Sequence, residues 1–114
     1  MTVCKGEIWL INLNPVKKNN EMGKIRPALI YQNDELNRSG YATTIIIPLS
    51  TSLIDNAEPI RMRVLKRDAL EEDSDLVITQ IRAIDNDRFI KKLTVLTQKE
   101  LQKVKELLDE IINA

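Results

Sequence analysis

Hydrophobic and polar residues alternate with a period of two in two segments of this chain, and the pattern predicts short β-strands there. In segment 5–14, Trp9, Ile11 and Leu13 fall on one face of an extended backbone. Segment 60–65 alternates in the same way and places two arginines on its polar face. Further strands are predicted over 26–32, 41–51, 76–84 and 89–96. Short strands joined by short turns favour a curled antiparallel sheet or a small barrel.

The last segment changes to the 3.6-residue period of a helix. Thr97 is the predicted N-cap, and Glu100 follows three residues later, as in a capping box. Leu96 and Leu101 are spaced for a hydrophobic staple. The apolar stripe of this helix consists of Leu101, Val104, Leu108, Ile111 and Ile112. We expect the stripe to pack on the sheet, with a partner chain as the alternative.

Two prolines mark irregular positions in the predicted strands. Pro27 lacks an N–H and is expected at the first residue of a strand or on an edge. Pro48 predicts an edge or a bulge within 41–51, and a bulge there re-aims the hydroxyls of residues 50–52. The connecting segments are interpreted as a turn at 37–40, one helical turn at 68–71 and a short turn at 85–88.

Composition excludes several classes of chemistry. With 114 residues the chain is expected to form one domain, 1–114. It has one cysteine and no histidine, which excludes an internal disulfide and histidine-based acid–base catalysis. Neither a metal nor another cofactor is expected. No apolar run approaches the roughly 20 residues of a membrane span, and we expect a soluble cytoplasmic protein.

The charges are balanced overall but unevenly distributed. Residues 1–67 contain 10 Lys+Arg against 6 Asp+Glu, and residues 68–114 contain 7 against 11. A neutral total is therefore compatible with a local basic surface for an anionic partner. Such an asymmetry also occurs on ordinary solvated surfaces.

Arg26 is the leading candidate for chemistry. It stands next to Pro27, where a polar loop meets a predicted strand, so its planar donor group has a defined place. The alternative is a loop arginine paired with a surface carboxylate. Other polar candidates at strand ends are Glu21, Ser50, Thr51, Gln80, Arg82 and Asp85. Arginines, hydroxyls and carboxylates without histidine suggest phosphate handling.

The loop over 16–24 carries Lys17, Lys18 and Lys24. It is long for a hairpin connection, and long loops in compact domains often carry function. A ligand-contacting loop and an ordinary solvated loop are both open at this point.

Four segments together carry a resemblance to a known family. They are Lys5-Gly6-Glu7-Ile8-Trp9 with Asn14-Pro15, then Glu21-Met22-Gly23-Lys24-Ile25-Arg26-Pro27, then Ile47-Pro48-Leu49-Ser50-Thr51, then Gln80-Ile81-Arg82-Ala83-Ile84-Asp85. In this order and spacing, over nearly the whole chain, the sequence resembles the MazF/PemK family of toxins.

The resemblance implies a fold and an activity. The implied fold is a mainly β, small SH3-like curled antiparallel barrel with a C-terminal helix, as in CcdB and PemK. The implied activity is that of a toxin from a toxin–antitoxin pair, a metal-independent, sequence-selective endoribonuclease. It would cleave single-stranded RNA (mRNA) by attack of the 2′-hydroxyl on the adjacent phosphate. The implied partners are a cognate antitoxin protein and a second copy of the chain, with RNA across the groove of the homodimer.

The resemblance also implies roles for residues. Arg26 matches the catalytic arginine, and Ser50 matches the catalytic hydroxyl, with Thr51 as the neighbouring alternative. Glu21 matches an acidic loop residue. RNA contacts are predicted for Lys17, Lys18, Lys24, Gln80, Arg82 and Asp85. Because a guanidinium does not deprotonate near neutral pH, Glu21 or Asp85 is a better proton acceptor than Arg26.

Alternatives stay open for several of these predictions. For Glu21, a loop salt bridge with Lys24 is favoured over a catalytic role. For Arg82 and Asp85, an intrachain ion pair that closes a turn is as well supported as a contact with substrate. The whole chain is also compatible with a non-enzymatic, topoisomerase-binding toxin like CcdB. An RNA-binding barrel that does not cleave is a third reading, although an aromatic content of 4% leaves few side chains for base stacking.

Overall fold

The computed structural model describes residues 2–13 and 25–113. Within them it contains seven strands, β1 Glu7–Asn12, β2 Ile25–Ile30, β3 Thr43–Ser50, β4 Arg61–Val64, β5 Ser74–Val77, β6 Arg82–Asp85 and β7 Phe89–Val95. The α-helices of this part are α1, Asp34–Arg38, and α2, Gln98–Ile112, and 3₁₀ turns occur at Ile78–Gln80 and Asn86–Arg88. Neither described α-helix is long and apolar enough to cross a membrane.

The strands form one antiparallel sheet in the order β4-β5-β3-β2-β1-β7, with β6 paired to β3 beside this path. The prediction of a mainly β fold with a C-terminal helix is confirmed. Among the described strands, β4 and β7 stand at opposite ends and are not paired with each other. The sheet is therefore open, where a barrel was expected to close.

Strand β3 is the central element because it changes partner along its length. One side pairs with β2, with Ala28 opposite Pro48. The other side pairs with β6 along residues 43–46 and with β5 at residues 49–50. Pro48 lies between these two stretches, inside the sheet, rather than on the expected edge or bulge. A residue without an N–H is tolerated where a ladder is interrupted in this way.

Side chains of β1 to β3 alternate between two hydrophobic clusters, since successive residues of a strand point to opposite faces. Ile8, Leu29 and Ile47 belong to the cluster that α2 covers. Trp9 and Ile11 belong to the other cluster, and Leu13 packs against it, which confirms the predicted face. Further members of this second cluster are Ala28, Ile30, Ile46, Ile84 and Phe89.

Helix α2 begins as predicted. The Thr97 side chain accepts from the Glu100 N–H at 3.1 Å, and the Glu100 carboxylate accepts from the Thr97 N–H at 2.8 Å, which completes the capping box. Val104 is buried against the sheet. Leu107 is buried as well, although it was not predicted. The predicted stripe does not pack along its full length, because Ile111 and Ile112 are exposed.

The predicted strand 76–84 is wrong in its middle. Leu76 lies opposite Leu49 and Arg82 lies opposite Ile46. Six residues separate the first pair from the second on segment 76–82, but only three do so on β3. The three extra residues form the 3₁₀ turn Ile78–Gln80, in which Ile78 is fully buried. Elements β5 and β6 are thus one pairing of β3 interrupted by an inserted turn.

Two local predictions also need correction. The first half of the expected turn at 37–40 belongs to helix α1, whose N-cap Asn33 accepts from the Leu36 N–H at 2.9 Å, and only residues 39–40 form a turn. The expected helical turn at 68–71 is a tight turn bridged by Arg67 and Leu70, with a positive φ of 50° at Asp68. The short turn predicted after residue 85 is confirmed as the 3₁₀ turn Asn86–Arg88.

Candidate active site

Arg26 and Ser50 come together where β2 begins and β3 ends. The pairing of β2 with β3 ends at Ala28 opposite Pro48, and Arg26 and Ser50 stand two residues beyond that pair, one on each strand. Both residues line the same cavity, so the two leading candidates of the sequence lie at one site.

A cavity of about 460 Å³ opens at this position. Its polar lining includes Arg26 and Lys91, Glu71 and Glu72, and the hydroxyl residues Ser50, Thr51, Ser52 and Ser74. Its apolar lining includes Leu10, Leu49, Leu70 and Leu93. The cavity thus combines two cations, two carboxylates and several hydroxyls on a rigid apolar base.

The guanidinium of Arg26 is not used in an ion pair within the described part of the chain. By contrast, ion pairs with carboxylates are formed by Arg61, Arg63, Arg67 and Arg88. The alternative of a surface carboxylate partner for Arg26 thus finds no support among residues 2–13 and 25–113. A half-buried arginine whose donors have no carboxylate partner in the described ranges is suited to a bidentate contact with phosphate oxygens.

Ser50 is half-buried, and its hydroxyl oxygen accepts from the Ser52 N–H at 3.2 Å. An oxygen that accepts in this way still has its own proton to donate. The hydroxyl of Ser50 is therefore oriented by the backbone and available to an anionic oxygen in the cavity. Thr51 and Ser52 are exposed.

Residues 50–54, called the hydroxyl loop below, are tied to a buried carboxylate. Asp75 lies opposite Ser50 in the β3–β5 pairing, and its side chain is 1% exposed. It accepts from Arg63 Nε at 2.6 Å, from the Ile54 N–H at 2.9 Å and from Arg61 at 3.3 Å. Arg61 also donates to the carbonyl oxygen of Ser52 at 2.9 Å.

Burial opposes the charge of Asp75, but the hydrogen bonds from Arg63, the Ile54 N–H and Arg61 outweigh it, so the pKa of this carboxyl lies below its ordinary value. Asp75 was not predicted as a site residue. The available signal was a carboxylate directly before the apolar run 76–78, at the end of the acidic stretch 71–75, together with the two arginines of segment 60–65.

The structure does not bring Gln80, Arg82 and Asp85 into this cavity. Arg82 lies opposite Ile46 and Asp85 opposite Thr43, on the far half of β3. Asp85 faces Arg88 at 3.9 Å, so the expected ion pair between Arg82 and Asp85 is not formed. Asp85 therefore lies at another turn, away from the cavity that Arg26 and Ser50 line, and its role as proton acceptor stays a prediction.

Some predicted site residues lie outside the described ranges, and some residues that line the cavity were not predicted. Lys17, Lys18, Glu21 and Lys24 lie outside the described residues. Lys91, Glu71 and Glu72 line the cavity but were not predicted. Lys91 lies opposite Leu10 in the β1–β7 pairing, which explains its place beside the cavity.

Comparison with known proteins gives sequence relatives and similar solved structures. Endoribonuclease MazF of Staphylococcus saprophyticus is 36% identical over 107 residues, which are 92% of this chain and 87% of that protein. Among solved structures, MazF from Deinococcus radiodurans has a TM-score of 0.76 at 16% identity, with 100% of this chain and 99% of that chain covered. An endoribonuclease solved in complex with its cognate antitoxin, from a mycobacterial species, has a TM-score of 0.69 at 18% identity, with coverage of 96% and 91%.

The structural matches show the fold, since their sequence identity is low. The family is shown by sequence. A family model described as a PemK-like, MazF-like toxin of type II toxin–antitoxin systems matches residues 4–112, which is almost the whole chain. With this match and the staphylococcal relative, the chain belongs to the PemK/MazF family of toxins.

Proposed function

We propose that this protein is the toxin of a type II toxin–antitoxin pair and acts as a metal-independent endoribonuclease on single-stranded mRNA. The observation that carries the proposal is that Arg26, which has no ion-pair partner among the described residues, shares a cavity with the oriented hydroxyl of Ser50, in a chain of this family. The staphylococcal relative carries the name of an endoribonuclease.

The reaction needs no nucleophile from the protein. The ribose 2′-oxygen attacks the adjacent phosphorus and loses its proton, while the 5′-oxygen of the next nucleotide leaves and gains one. The products are a 2′,3′-cyclic phosphate and a 5′-hydroxyl. Because the nucleophile belongs to the substrate, RNA is cleaved and DNA is not.

The chain stabilises the charge that develops on the phosphate. Arg26 binds two non-bridging oxygens through its planar donor group, and the Ser50 hydroxyl donates to one of them. Lys91 adds a second positive charge at the cavity. Thr51 is the neighbouring hydroxyl that remains available for a substrate contact.

The proton of the 2′-hydroxyl requires an acceptor other than arginine. Among the described carboxylates, Glu71 and Glu72 line the cavity, whereas Asp85 does not. We therefore place the proton acceptor at Glu71 or Glu72. Glu21, the acceptor predicted from sequence, lies outside the described residues and keeps its predicted role as an acidic loop residue.

RNA beyond the cut site follows β3. Arg82 is exposed and lies opposite Ile46, four residues from Ser50, which is roughly 13 Å along a strand. Arg82 and the exposed Gln80 are proposed to contact the neighbouring nucleotides. Lys17, Lys18 and Lys24 are proposed to contact the RNA backbone.

The proposed partners follow from the family. The mycobacterial endoribonuclease was solved with its cognate antitoxin, and we propose that this chain also binds a cognate antitoxin and forms a homodimer. Its place is the cytoplasm, where mRNA is found. The alternative of a topoisomerase-binding toxin gives no role to the Arg26–Ser50 pair and is not proposed.

The test is cleavage of single-stranded RNA by the purified protein in excess chelator. The wild type is expected to produce cyclic-phosphate ends, and Arg26→Ala to lower the rate by about 10²–10³-fold, as for loss of one oxyanion donor. Arg38→Ala is the matched control, because Arg38 is an exposed arginine of α1 outside the cavity. No cleavage by the wild type, or equal cleavage by Arg26→Ala, would refute the proposal.

A further inference from the structure

We infer that Asp75 is a positioning residue for the proposed cleavage, a role that rests on the proposed function. Through Arg61 and the backbone, it holds the hydroxyl loop in the conformation that presents the Ser50 hydroxyl to the scissile phosphate. Asp75 itself does not line the cavity of about 460 Å³ and does not contact RNA in this proposal.

Both carboxylate oxygens of Asp75 are engaged. One oxygen accepts from Arg63 Nε at 2.6 Å. The other accepts from the Ile54 N–H at 2.9 Å and from Arg61 at 3.3 Å. The carboxylate therefore holds the far end of the hydroxyl loop directly and its middle through Arg61.

A continuous series of contacts connects this carboxylate with the catalytic hydroxyl. Arg61 donates to the Ser52 carbonyl at 2.9 Å, and the Ser52 N–H donates to the Ser50 hydroxyl oxygen at 3.2 Å. Ser50 is also the strand partner of Asp75. A shift of Asp75 or Arg61 therefore moves the donor that orients the Ser50 hydroxyl.

Packing alone does not fix this loop. All residues from 51 to 56 are exposed, so they have no buried side chain to anchor the backbone. Asp75, in contrast, sits in a strand whose four residues are all buried. An apolar residue would suit that position, since burial of a charge opposes folding unless partners compensate it. The hydrogen bonds to the loop explain why a carboxylate occupies this buried position.

A double-mutant cycle measures the proposed coupling. The single-turnover cleavage rate is determined at saturating protein for the wild type, Asp75→Asn, Ser50→Ala and the double variant. A misplaced catalytic group costs up to about 10²-fold, so Asp75→Asn is expected to lower the rate by about 10–100-fold. In the Ser50→Ala background the same change is expected to lower it by less than about threefold, because the oriented hydroxyl is already absent.

RNA affinity and folding are measured beside the rate. RNA binding by Asp75→Asn is expected to stay within about threefold of the wild type, since Arg26 is unchanged. Leu107→Ala is the control for lost stability, because Leu107 is a buried residue of α2 in the hydrophobic core and takes no part in the hydrogen bonds that hold the loop. Its folded fraction retains the wild-type rate. If Asp75→Asn does not fold, Arg61→Gln takes its place in the double-mutant cycle with Ser50→Ala. This variant leaves Asp75 paired with Arg63.

The outcomes separate the two claims. No cleavage by the wild type would refute the proposed function and this inference with it. If the wild type cleaves, two results would refute the inference alone. One is an equal rate for Asp75→Asn and the wild type, and the other is the same fold-loss from Asp75→Asn with and without the Ser50 hydroxyl.

Discussion

The ion pair between Arg67 and Glu100 joins α2 to the turn at 67–70, whose Leu70 lines the cavity. Its removal tests how much this contact contributes to the stability of the fold. The two guanidinium nitrogens donate to the two carboxylate oxygens at 2.7 and 2.8 Å. Glu100→Gln removes the charge but keeps an oxygen that can accept from Thr97, so the capping box survives.

The expected magnitude follows from the exposure of the pair. Hydrogen bonds to charged groups contribute about 1.5–3 kcal/mol when buried. Here the side chains are 28% and 23% exposed, so solvent screens part of this contribution. We expect Glu100→Gln to lower the free energy of unfolding by about 1–2 kcal/mol. With a urea m-value of about 1.5 kcal/mol/M, the midpoint falls by roughly 1 M.

The same pair predicts a pH dependence. The hydrogen bond from Arg67 is the main reason that the pKa of Glu100 lies below its ordinary value. The unfolded chain then binds the proton more tightly than the folded chain, so this stability is present above the unfolded pKa of about 4.3. It is lost as the pH falls through the folded pKa. Glu100→Gln should therefore lose less stability than the wild type on acidification.

Urea unfolding at pH 7 and at pH 3 to 5 measures both effects, followed by the fluorescence of Trp9, the only tryptophan. Asp109→Asn is the matched control on the same helix, because its ion pair with Lys105 is exposed. We expect no measurable change from it. An unchanged midpoint for Glu100→Gln at pH 7, or an unchanged acid dependence, would refute the reasoning.

Four further predictions concern the cavity and the core. Ser50→Thr should keep the cleavage rate within about threefold, because the hydroxyl is retained, whereas Ser50→Ala should lower it by about 10²-fold. Glu71→Gln and Glu72→Gln, made separately, should identify the proton acceptor by a loss of about 10²–10⁴-fold in one of them. Leu107→Ala should lower the free energy of unfolding by about 2–5 kcal/mol in urea titrations. Because the pKa of Asp75 is lowered, Asp75→Asn should reduce the loss of stability that the wild type shows below about pH 4.

These predictions have controls and contrary outcomes. Thr51→Ala tests whether the neighbouring hydroxyl replaces that of Ser50, and equal rates for Ser50→Ala and the wild type would contradict the assigned role. Wild-type rates in both glutamate variants would exclude both carboxylates as proton acceptor. A stability change below about 1 kcal/mol for Leu107→Ala would contradict the packing of α2 on the sheet.

Local patterns in the sequence predicted the local structure well. The spacing of Thr97 and Glu100 predicted the start of α2 because both hydrogen bonds of a capping box lie within three residues. The alternation of Trp9, Ile11 and Leu13 predicted a shared face because side-chain direction depends only on the strand itself.

Non-local geometry was beyond these patterns. The 3₁₀ turn at Ile78–Gln80 arises because β5 and β6 must pair with different parts of β3, and the apolar run 76–78 does not reveal that requirement. The ion pairs of Asp75 with Arg61 and Arg63, which are 14 and 12 residues away in sequence, depend on the same kind of long-range pairing.

The change of partner along β3 has a consequence for synthesis on the ribosome. Residues 43–50 bear the Ser50 hydroxyl, yet their second side is completed only by β5 and β6, which emerge 24 or more residues later. Strand β1 is completed even later, because its second neighbour in the sheet is β7. Pairings of such high sequence separation form late, since the chain must first close the intervening loops. A nascent chain therefore has no assembled cleavage site until most of it has been translated. The mRNA that encodes the protein is consequently exposed to its cleavage activity only near the end of elongation.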